Sequence, residues 1–151
     1  MRVRLAMKED VDAVLSLAQE QVVEAHSHLP FDREIAEASF HEGISNGDLL
    51  IVAEGSDGNL VGFLGGRLHG YSFCSGVFVN LDILYVRPDK RGTRAAAELL
   101  LEYIRWGHIV GAREIYLGTD NPQMADRTAR VYERLGASRV GYQHRIIARG
   151  Q

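Results

Sequence analysis

The segment RPDKRGTRAAAELL, Arg87–Leu100, follows directly on the apolar run LDILYV, Leu81–Val86. The apolar run predicts a strand that stops at Pro88, and the stretch rich in alanine and leucine after it predicts a helix. In the loop between them, three basic residues surround the one glycine, Gly92: they are Lys90, Arg91 and Arg94. Because free N–H groups at a helix start bind anions, above all phosphates, this strand–loop–helix junction predicts a phosphate-binding site.

The composition predicts one globular domain over residues 1–151. The chain is 46% hydrophobic and 25% charged, as expected for a protein with a substantial core. Every apolar run is shorter than the roughly 20 residues that span a bilayer, and charges close to Met1 interrupt any signal-peptide core. Cys74 is the only cysteine, so there is no internal disulfide and no thiolate metal cluster. We therefore expect a cytoplasmic protein with no membrane partner.

Charge is distributed unevenly along the chain. The net charge of −3 disfavours nucleic acid as a general partner. Residues Lys8–Glu54 hold 11 acidic side chains and two basic ones, whereas Arg87–Gln151 holds 12 basic and seven acidic side chains. The first segment should attract cations and the second anions, unless these charges simply lie on solvated helix faces.

Hydrophobic periodicity and turn residues predict six or seven strands and four helices. The predicted strands are Arg2–Ala6, Leu49–Glu54, Leu60–Leu68, Gly76–Val86, Glu114–Gly118 and a last strand or strand pair over Ser138–Ala148. The predicted helices are Glu9–Ala25, Asp32–Ile44 with Asp32 as its cap, Ala95–Val110, and Gln123–Leu135 closed by Gly136. Strands two and three should form a hairpin that turns at Asp57 and Gly58. This order indicates an α/β fold that mixes local hairpins with crossover connections.

Two familiar phosphate-binding motifs are excluded. A P-loop places a lysine next to serine or threonine after several glycines, and neither of the two lysines, Lys8 and Lys90, fits. The Rossmann spacing of three glycines at the start of a helix is also absent from the sequence.

The junction instead resembles that of the GNAT superfamily of acyl-CoA-dependent N-acyltransferases. The family motif is Arg or Gln, two residues, Gly, one residue, then Gly or Ala, and it falls on Arg91–Ala96. The preceding Y-V-x-P ending and the later A-x-x-Y-x-x-x-G block, Ala129–Gly136, also match. Since the element order matches too, the resemblance covers nearly the whole chain. It implies an α/β fold with a mixed, mostly antiparallel central sheet and helices on both faces.

The resemblance implies acetyl-CoA as co-substrate and no metal. Backbone N–H groups of Gly92, Thr93, Arg94, Ala95 and Ala96, beside Arg91, would bind the pyrophosphate. The strand edge at Leu84, Tyr85 and Val86 would pair with the pantetheine arm, between two parallel strands that splay apart. Asn121 would touch the coenzyme, although a helix cap would also explain it. Arg94 replaces the family's central glycine, and its side chain either points outward or adds a contact to a phosphate.

Acyl transfer to an amine requires a proton acceptor for the amine and a proton donor for the departing thiolate. Asp82 is the candidate base, since a mid-strand aspartate is unusual and strand alternation places it with Asn80, Leu84 and Val86. A structural pairing with Arg67 is the alternative. Tyr132 is the candidate acid because it matches the family's tyrosine, although a plain core aromatic would also fit. Glu54 is a second candidate for the base.

The remaining reactive side chains give weaker signals. Cys74 lacks a fixed histidine partner, so it is disfavoured as a nucleophile. His26, His28 and His41 could form a metal site only with poor spacing, and we expect them to line the acceptor entrance or to face solvent.

The acidic N-terminal segment should shape the acceptor site, because the first two helices do so in the family. We therefore expect a small molecule with a primary amine and a cationic character. Two alternatives stay open: a catalytically idle acyl-CoA sensor, with Arg94 as the sign of a decayed site, and an enzyme that acetylates protein or aminoacyl-tRNA amines. The chain ends early for the family, so a homodimer could supply the missing strand.

Overall fold

The computed structural model describes residues 1–148. Its strands are β1 (Arg2–Leu5), β2 (Leu49–Glu54), β3 (Leu60–Gly70), β4 (Val77–Val86) and β5 (Glu114–Tyr116). Its helices are α1 (Val11–Ala25), α2 (Arg33–Ser45), α3 (Ala95–Ile109) and α4 (Ala125–Arg134), with short 3-10 turns at Lys8–Asp10 and Pro88–Lys90. Asp32 caps α2, as predicted, because its carboxylate accepts a hydrogen bond from the Ile35 N–H at 3.0 Å. None of the helices in the described part of the chain is long and apolar enough to cross a membrane.

The five strands form one sheet in the order β1-β2-β3-β4-β5. All neighbouring strands are antiparallel except β4 and β5, which are parallel. Only Phe78–Asn80 of β4 pairs with β5, opposite Glu114–Tyr116, and the two strands then separate. The edge of β4 beyond Asn80 is therefore free of a strand partner on the β5 side within residues 1–148. The predicted fifth strand, Glu114–Gly118, is shorter than expected because of this separation.

Helices cover both faces of the sheet, as expected from the resemblance. On one face α3 buries Leu99 and Tyr103 against Leu64 and Val79. On the other face Val14 and Leu17 of α1 pack with Val52, Phe63 and Tyr85 of the sheet. Phe40 of α2 packs against this cluster. The mixed, mostly antiparallel sheet with helices on both faces is thus confirmed.

The prediction of a last strand over Ser138–Ala148 is wrong. The segment has no regular secondary structure, and its apolar side chains Val140, Tyr142 and Ile146 are largely exposed. A strand is stable only when its N–H and C=O groups pair with a neighbour. The alternating sequence favours an extended chain, but β5 has only three residues and offers it little edge.

Candidate active site

The separation of β4 from β5 opens a cleft of about 460 Å³, which we call the coenzyme cleft after the co-substrate that the family resemblance implies. One wall is the second half of β4, and the other is the loop from Gly118 to Asn121 together with α4. The junction loop after β4 and the start of α3 close one end. The predicted residues that line this cleft are Asp82, Leu84, Tyr85, Val86, Arg91, Gly92, Thr93, Ala96, Asn121 and Tyr132.

The β4 edge presents its backbone to the cleft at alternate residues. The Arg87 N–H donates to the Val61 carbonyl of β3 at 2.9 Å. In an antiparallel ladder, residues that bond to the neighbour alternate with residues that do not, so Leu84 and Val86 direct their N–H and C=O groups toward the cleft. Tyr85 directs its backbone toward β3 instead. Of the three predicted pantetheine contacts, Leu84 and Val86 therefore have suitably oriented backbone groups.

The start of α3 leaves backbone donors free beside the cleft. Gly92 has a φ of +86°, a left-handed conformation that favours glycine. The first intrahelical bond runs from the Glu98 N–H to the Arg94 carbonyl at 2.9 Å, so earlier N–H groups lack a helical acceptor. The Ala95 N–H donates to the Thr93 hydroxyl at 3.3 Å. Within residues 1–148 the N–H groups of Ala96 and Ala97, both lining the cleft, keep no such acceptor.

Arg91 is occupied by protein groups. Its Nε donates to the Val86 carbonyl at 2.9 Å, its Nη2 donates to the Glu24 carboxylate at 2.6 Å, and the guanidinium lies over the Tyr85 ring at 5.6 Å from the centroid. Arg91 thus holds the loop against α1 and β4. The cleft-lining cations that remain beside Gly92 are Lys90 and Arg127.

Glu24 of α1 is a structural partner of the site that the sequence did not reveal. Its carboxylate accepts from Arg91 and, at 2.8 Å, from the Asn121 side-chain amide. Burial by itself raises the pKa of Glu24, but the hydrogen bonds from Arg91 and Asn121 outweigh it, and the net pKa lies below its usual value. The only sequence signal was an acidic residue near the apolar face of α1, which is too common to be diagnostic. Arg127, another missed residue, sits on α4 beside Gly92.

Arg94 points away from the cleft. Its side chain is 86% exposed and lies 3.2 Å from Glu98, one helical turn later. Arg94 begins α3 with ordinary helical backbone angles, so the absence of glycine there causes no strain. Ala95 is fully buried and does not line the cleft. The outward alternative for Arg94 is the arrangement that the structure adopts.

Tyr132 lies deep in the cleft wall. The side chain is buried, and its hydroxyl donates to the Gly118 carbonyl at 2.7 Å. Burial, and secondarily the charge of Asp120, raise the pKa of Tyr132 well above its usual range. The hydroxyl therefore keeps its proton at all physiological pH values and stands at the cleft as a hydrogen-bond donor.

Asp82 lies at a β-bulge between two cavities. Gly65 pairs with Ile83 and Gly66 pairs with Leu81, so Asp82 has no opposite residue on β3. The bulge interrupts the alternation of side chains between the two faces of β4. Leu84 and Val86 pack on the α3 face together with Leu81, so the expectation that Asp82 shares a face with Leu84 and Val86 is wrong. The Asp82 carboxylate lies 3.3 Å from Arg67 Nε, and both side chains are about half exposed, at 46% and 50%.

A second cavity of about 220 Å³ lies on the other side of Asp82, between the sheet and helices α1 and α2; we call it the helix groove. Phe40, Ile44 and Phe63 supply apolar walls, and Asp48 and Asp82 supply carboxylates. Asp82 and Ile83 border both the coenzyme cleft and the helix groove. The bulge therefore connects the two.

The structure also locates the other candidate residues. Asn121 lines the coenzyme cleft, and its side-chain amide donates to Glu24 at 2.8 Å and accepts from the Gln123 N–H at 3.1 Å. Glu54 binds Arg4 at 2.8 Å, away from both cavities. Cys74 is exposed. His41 lies 3.7 Å from Glu37. Among residues 1–148 no three His, Cys, Asp or Glu side chains converge on a metal-binding arrangement.

Solved structures of the same fold cover almost the whole chain. An acetyltransferase from Trypanosoma brucei is 15% identical with a TM-score of 0.75, covering 97% of this chain and 99% of that one. Ribosomal-protein-alanine N-acetyltransferase from Brucella melitensis biovar Abortus is 21% identical, with a TM-score of 0.72 and coverage of 98% and 99%. A predicted acetyltransferase from Clostridium acetobutylicum, solved with acetyl-CoA, is 14% identical, with a TM-score of 0.78 and coverage of 97% and 95%.

The sequence itself identifies the family to which the chain belongs. No curated protein matches it significantly. Residues 11–137, however, match the acetyltransferase (GNAT) family, and this range includes the junction loop, the splayed strands and Tyr132. With more than half of the chain matched, and with the left-handed Gly92 before α3 and the gap between β4 and β5 in place, the chain belongs to the GNAT acetyltransferase family and is an acyltransferase.

Proposed function

We propose that the protein transfers the acetyl group of acetyl-CoA directly to the primary amine of a small cationic acceptor. The observation that supports this most is the position of Asp82 between the coenzyme cleft and the helix groove. A donor in the cleft and an acceptor in the groove would meet at the β4 bulge. Direct transfer needs this meeting point, whereas a protein that only binds acyl-CoA does not.

The coenzyme cleft fits acetyl-CoA on its own features. The free N–H groups of Ala96 and Ala97, with Lys90 and Arg127, would hold the pyrophosphate. The left-handed Gly92 has open space on its free side, since a side-chain carbon built there would meet only Arg127 Nη2 at 3.7 Å. The backbone of Leu84 would pair with the pantetheine arm. When bound, the coenzyme supplies a thioester, the bond that the acceptor amine attacks.

The helix groove suits an amine attached to an apolar chain. Its walls are mainly apolar, and its carboxylates Asp48 and Asp82 outnumber its one cation, Arg67. The excess of acidic residues along Lys8–Glu54 adds a negative field on this side of the sheet. Asp82 would anchor the acceptor ammonium or take its proton, and the Tyr132 hydroxyl would donate to the departing sulfur.

The experiment is a screen of coenzyme A release from acetyl-CoA over amines, polyamines, amino acids and peptides. We expect release with small cationic amines, and we expect acetyl-CoA to raise the melting temperature because it binds only the folded state. A raised melting temperature with no transfer to any acceptor would favour the idle sensor. Transfer only to peptides or to aminoacyl-tRNA would support acetyl transfer but contradict a small cationic acceptor.

A further inference from the structure

The two walls of the coenzyme cleft are joined by strand pairing at one end only. Asn80 of β4 pairs with Tyr116 of β5, and past this pair no ladder joins the walls within residues 1–148. The opposite end lies at the junction loop, where the pyrophosphate would bind. Because strands keep a fixed spacing of about 4.8 Å only where they pair, another contact must fix the separation of the walls at that end.

Glu24 of α1 makes this contact, with one carboxylate oxygen toward each wall. Its Oε2 accepts from Arg91 Nη2 at 2.6 Å, and its Oε1 accepts from the Asn121 side-chain amide at 2.8 Å. Arg91 belongs to the junction loop and Asn121 to the loop before α4, so the carboxylate spans both walls. We call these two hydrogen bonds the Glu24 bridge. The Glu24 side chain is only 16% exposed, so solvent screens the bridge little.

Both partners of Glu24 are themselves held by the backbone. Arg91 Nε donates to the Val86 carbonyl at the end of β4, at 2.9 Å. The side-chain oxygen of Asn121 accepts from the Gln123 N–H at 3.1 Å, within the turn that precedes α4. Since neither side chain can swing freely, the Glu24 bridge fixes the position of the wall backbones and not only of two side chains.

Helix α1 gives Glu24 a firm support. One turn earlier, the Glu20 carboxylate accepts from the Tyr85 hydroxyl of β4 at 3.1 Å. A further contact joins α1 to the second wall, from His26 Nε2 to Asp120 Oδ2 at 2.8 Å, but the Asp120 side chain is 54% exposed. Because solvent weakens exposed polar contacts, the Glu24 bridge is the firmer link between the walls.

We propose that Glu24 is a positioning residue that fixes the width of the coenzyme cleft at its pyrophosphate end and thereby sets the affinity for coenzyme A. This inference rests on the proposed binding of acetyl-CoA in the cleft. With the bridge in place, the coenzyme meets walls that already stand at the binding separation. Without it the walls would also sample other separations, and the affinity would fall by the fraction of molecules that keep the right one.

Calorimetric titration with coenzyme A, without any acceptor, tests the inference on wild type and Glu24→Gln. A glutamine offers one oxygen and one amide donor, so it cannot keep an oxygen on each wall. Glu114→Gln is the matched control, because the two Glu114 oxygens also accept from two side chains, Tyr71 and Tyr116, and Glu114 lines neither cavity. We expect a Kd about ten-fold higher in Glu24→Gln, as when one molecule in ten keeps the binding separation, and an unchanged Kd in the control.

Steady-state rates separate positioning from a loss of structure. In Glu24→Gln the KM for acetyl-CoA should rise, while kcat at saturating acetyl-CoA should stay within about two-fold of the wild type. Asn121→Ala removes one half of the bridge and keeps the ion pair with Arg91, so it provides a second variant should Glu24→Gln fold poorly; its Kd should rise as well. The double variant should raise the Kd by less than the product of the two single effects, because both changes open the same bridge.

Four results would overturn the inference. A Kd in Glu24→Gln equal to that of the wild type would show that the bridge does not affect the coenzyme. A lower Kd would mean that Glu24 withholds the Arg91 guanidinium from the phosphates. A kcat that falls together with the melting temperature, at unchanged KM, would make the bridge merely structural. Independent effects of Glu24→Gln and Asn121→Ala would assign Asn121 to a direct coenzyme contact.

Failure of the proposed function gives a different pattern. A wild-type protein that binds no coenzyme A would remove the proposed function, and this inference with it. A wild type that binds coenzyme A but transfers no acetyl group would contradict the transfer alone, because the titrations require no reaction. The two failures are therefore distinguishable.

Discussion

Two buried tyrosines donate their hydroxyl protons to backbone carbonyl oxygens, but they stand in different places. Tyr132 donates to Gly118 at 2.7 Å and lines the coenzyme cleft. Tyr103 donates to Tyr116 at 2.8 Å from the core beneath α3. Burial raises the pKa of both hydroxyls beyond their usual range. They therefore form a matched pair for separating a role in the reaction from a role in stability.

Replacing Tyr132 by phenylalanine should lower kcat about 10²- to 10⁴-fold, the range for loss of a proton donor. The KM for acetyl-CoA should change little, because the phosphate-binding groups lie elsewhere in the cleft. Tyr103→Phe should cost about 0.5–1.5 kcal/mol of stability, the net value of one hydrogen bond, and leave kcat intact. Steady-state rates and thermal melts of both variants make the comparison; equal rates in the two variants would exclude Tyr132 as the donor.

The ion pair between Glu24 and Arg91 predicts a specific pH dependence of stability. The pKa of Glu24 lies below its unfolded value of about 4.3, so its contribution is present above that pH and is lost as pH falls through the folded pKa. Glu24→Gln should therefore cost about 1.5–3 kcal/mol at pH 7, the range for hydrogen bonds to charged groups, and less near pH 3. Urea unfolding of the wild type and the variant at both pH values measures this. A constant difference between them would show that the charge of Glu24 is unimportant.

At the scale of the elements, the junction between β4 and α3 depends on a left-handed glycine. Gly92→Ala should destabilise the fold by about 1–2 kcal/mol, because its φ is +86°. It should also raise the KM for acetyl-CoA, since the loop beside the pyrophosphate would change shape. Gly58→Ala is the matched control: its φ is +82°, and it lies in the β2–β3 turn, away from both cavities. Melts and initial rates should show a similar loss of stability in both variants, with the KM change confined to Gly92→Ala. If neither variant changed the KM for acetyl-CoA, the loop at Gly92 would have no part in coenzyme binding.

The sequence predicted those elements whose signals are local. The helical periodicity of α1 and α3, the Asp32 cap and the hairpin between β2 and β3 all depend on residues a few positions apart. The end of β5 and the fate of Ser138–Ala148 depend on which strand lies alongside, and no local pattern contains that information. The same reason explains why alternation failed at Asp82, where a bulge depends on the partner strand β3.

The candidate site was predictable to the same extent. The junction loop and Tyr132 were identified by motif spacing, and the structure brings them to one cleft. The pairings of Glu24 with Arg91 and of His26 with Asp120 join residues 67 and 94 positions apart. Neither side chain of such a pair has a distinctive sequence context, so only the folded chain reveals them.

At the scale of the whole molecule, the exposed apolar segment predicts self-association. Val140, Tyr142 and Ile146 are largely exposed, and isolated side chains of this kind gain from burial against a second copy. We expect a homodimer that covers this segment. Light scattering after size exclusion should give twice the mass of the chain. Ile146→Asp should shift it to the monomer mass, whereas Ile109→Asp, an exposed change on α3, should not; a monomeric wild type at tens of micromolar would contradict the expectation.

The central claim is acetyl transfer to a cationic amine at the meeting point of the two cavities. It is tested most directly by initial rates of acetyl-CoA-dependent coenzyme A release with two acceptors of equal length, 1,5-diaminopentane and 5-aminopentanoate. Both carry a primary amine at one end of a five-carbon chain, and the other end is a second primary amine, charged as an ammonium, in the diamine and a carboxylate in the aminopentanoate. The excess of acidic residues along Lys8–Glu54 and the carboxylates Asp48 and Asp82 of the helix groove predict a kcat/KM at least ten-fold higher for the diamine. A higher value for the aminopentanoate, or no release with any amine, would contradict the account.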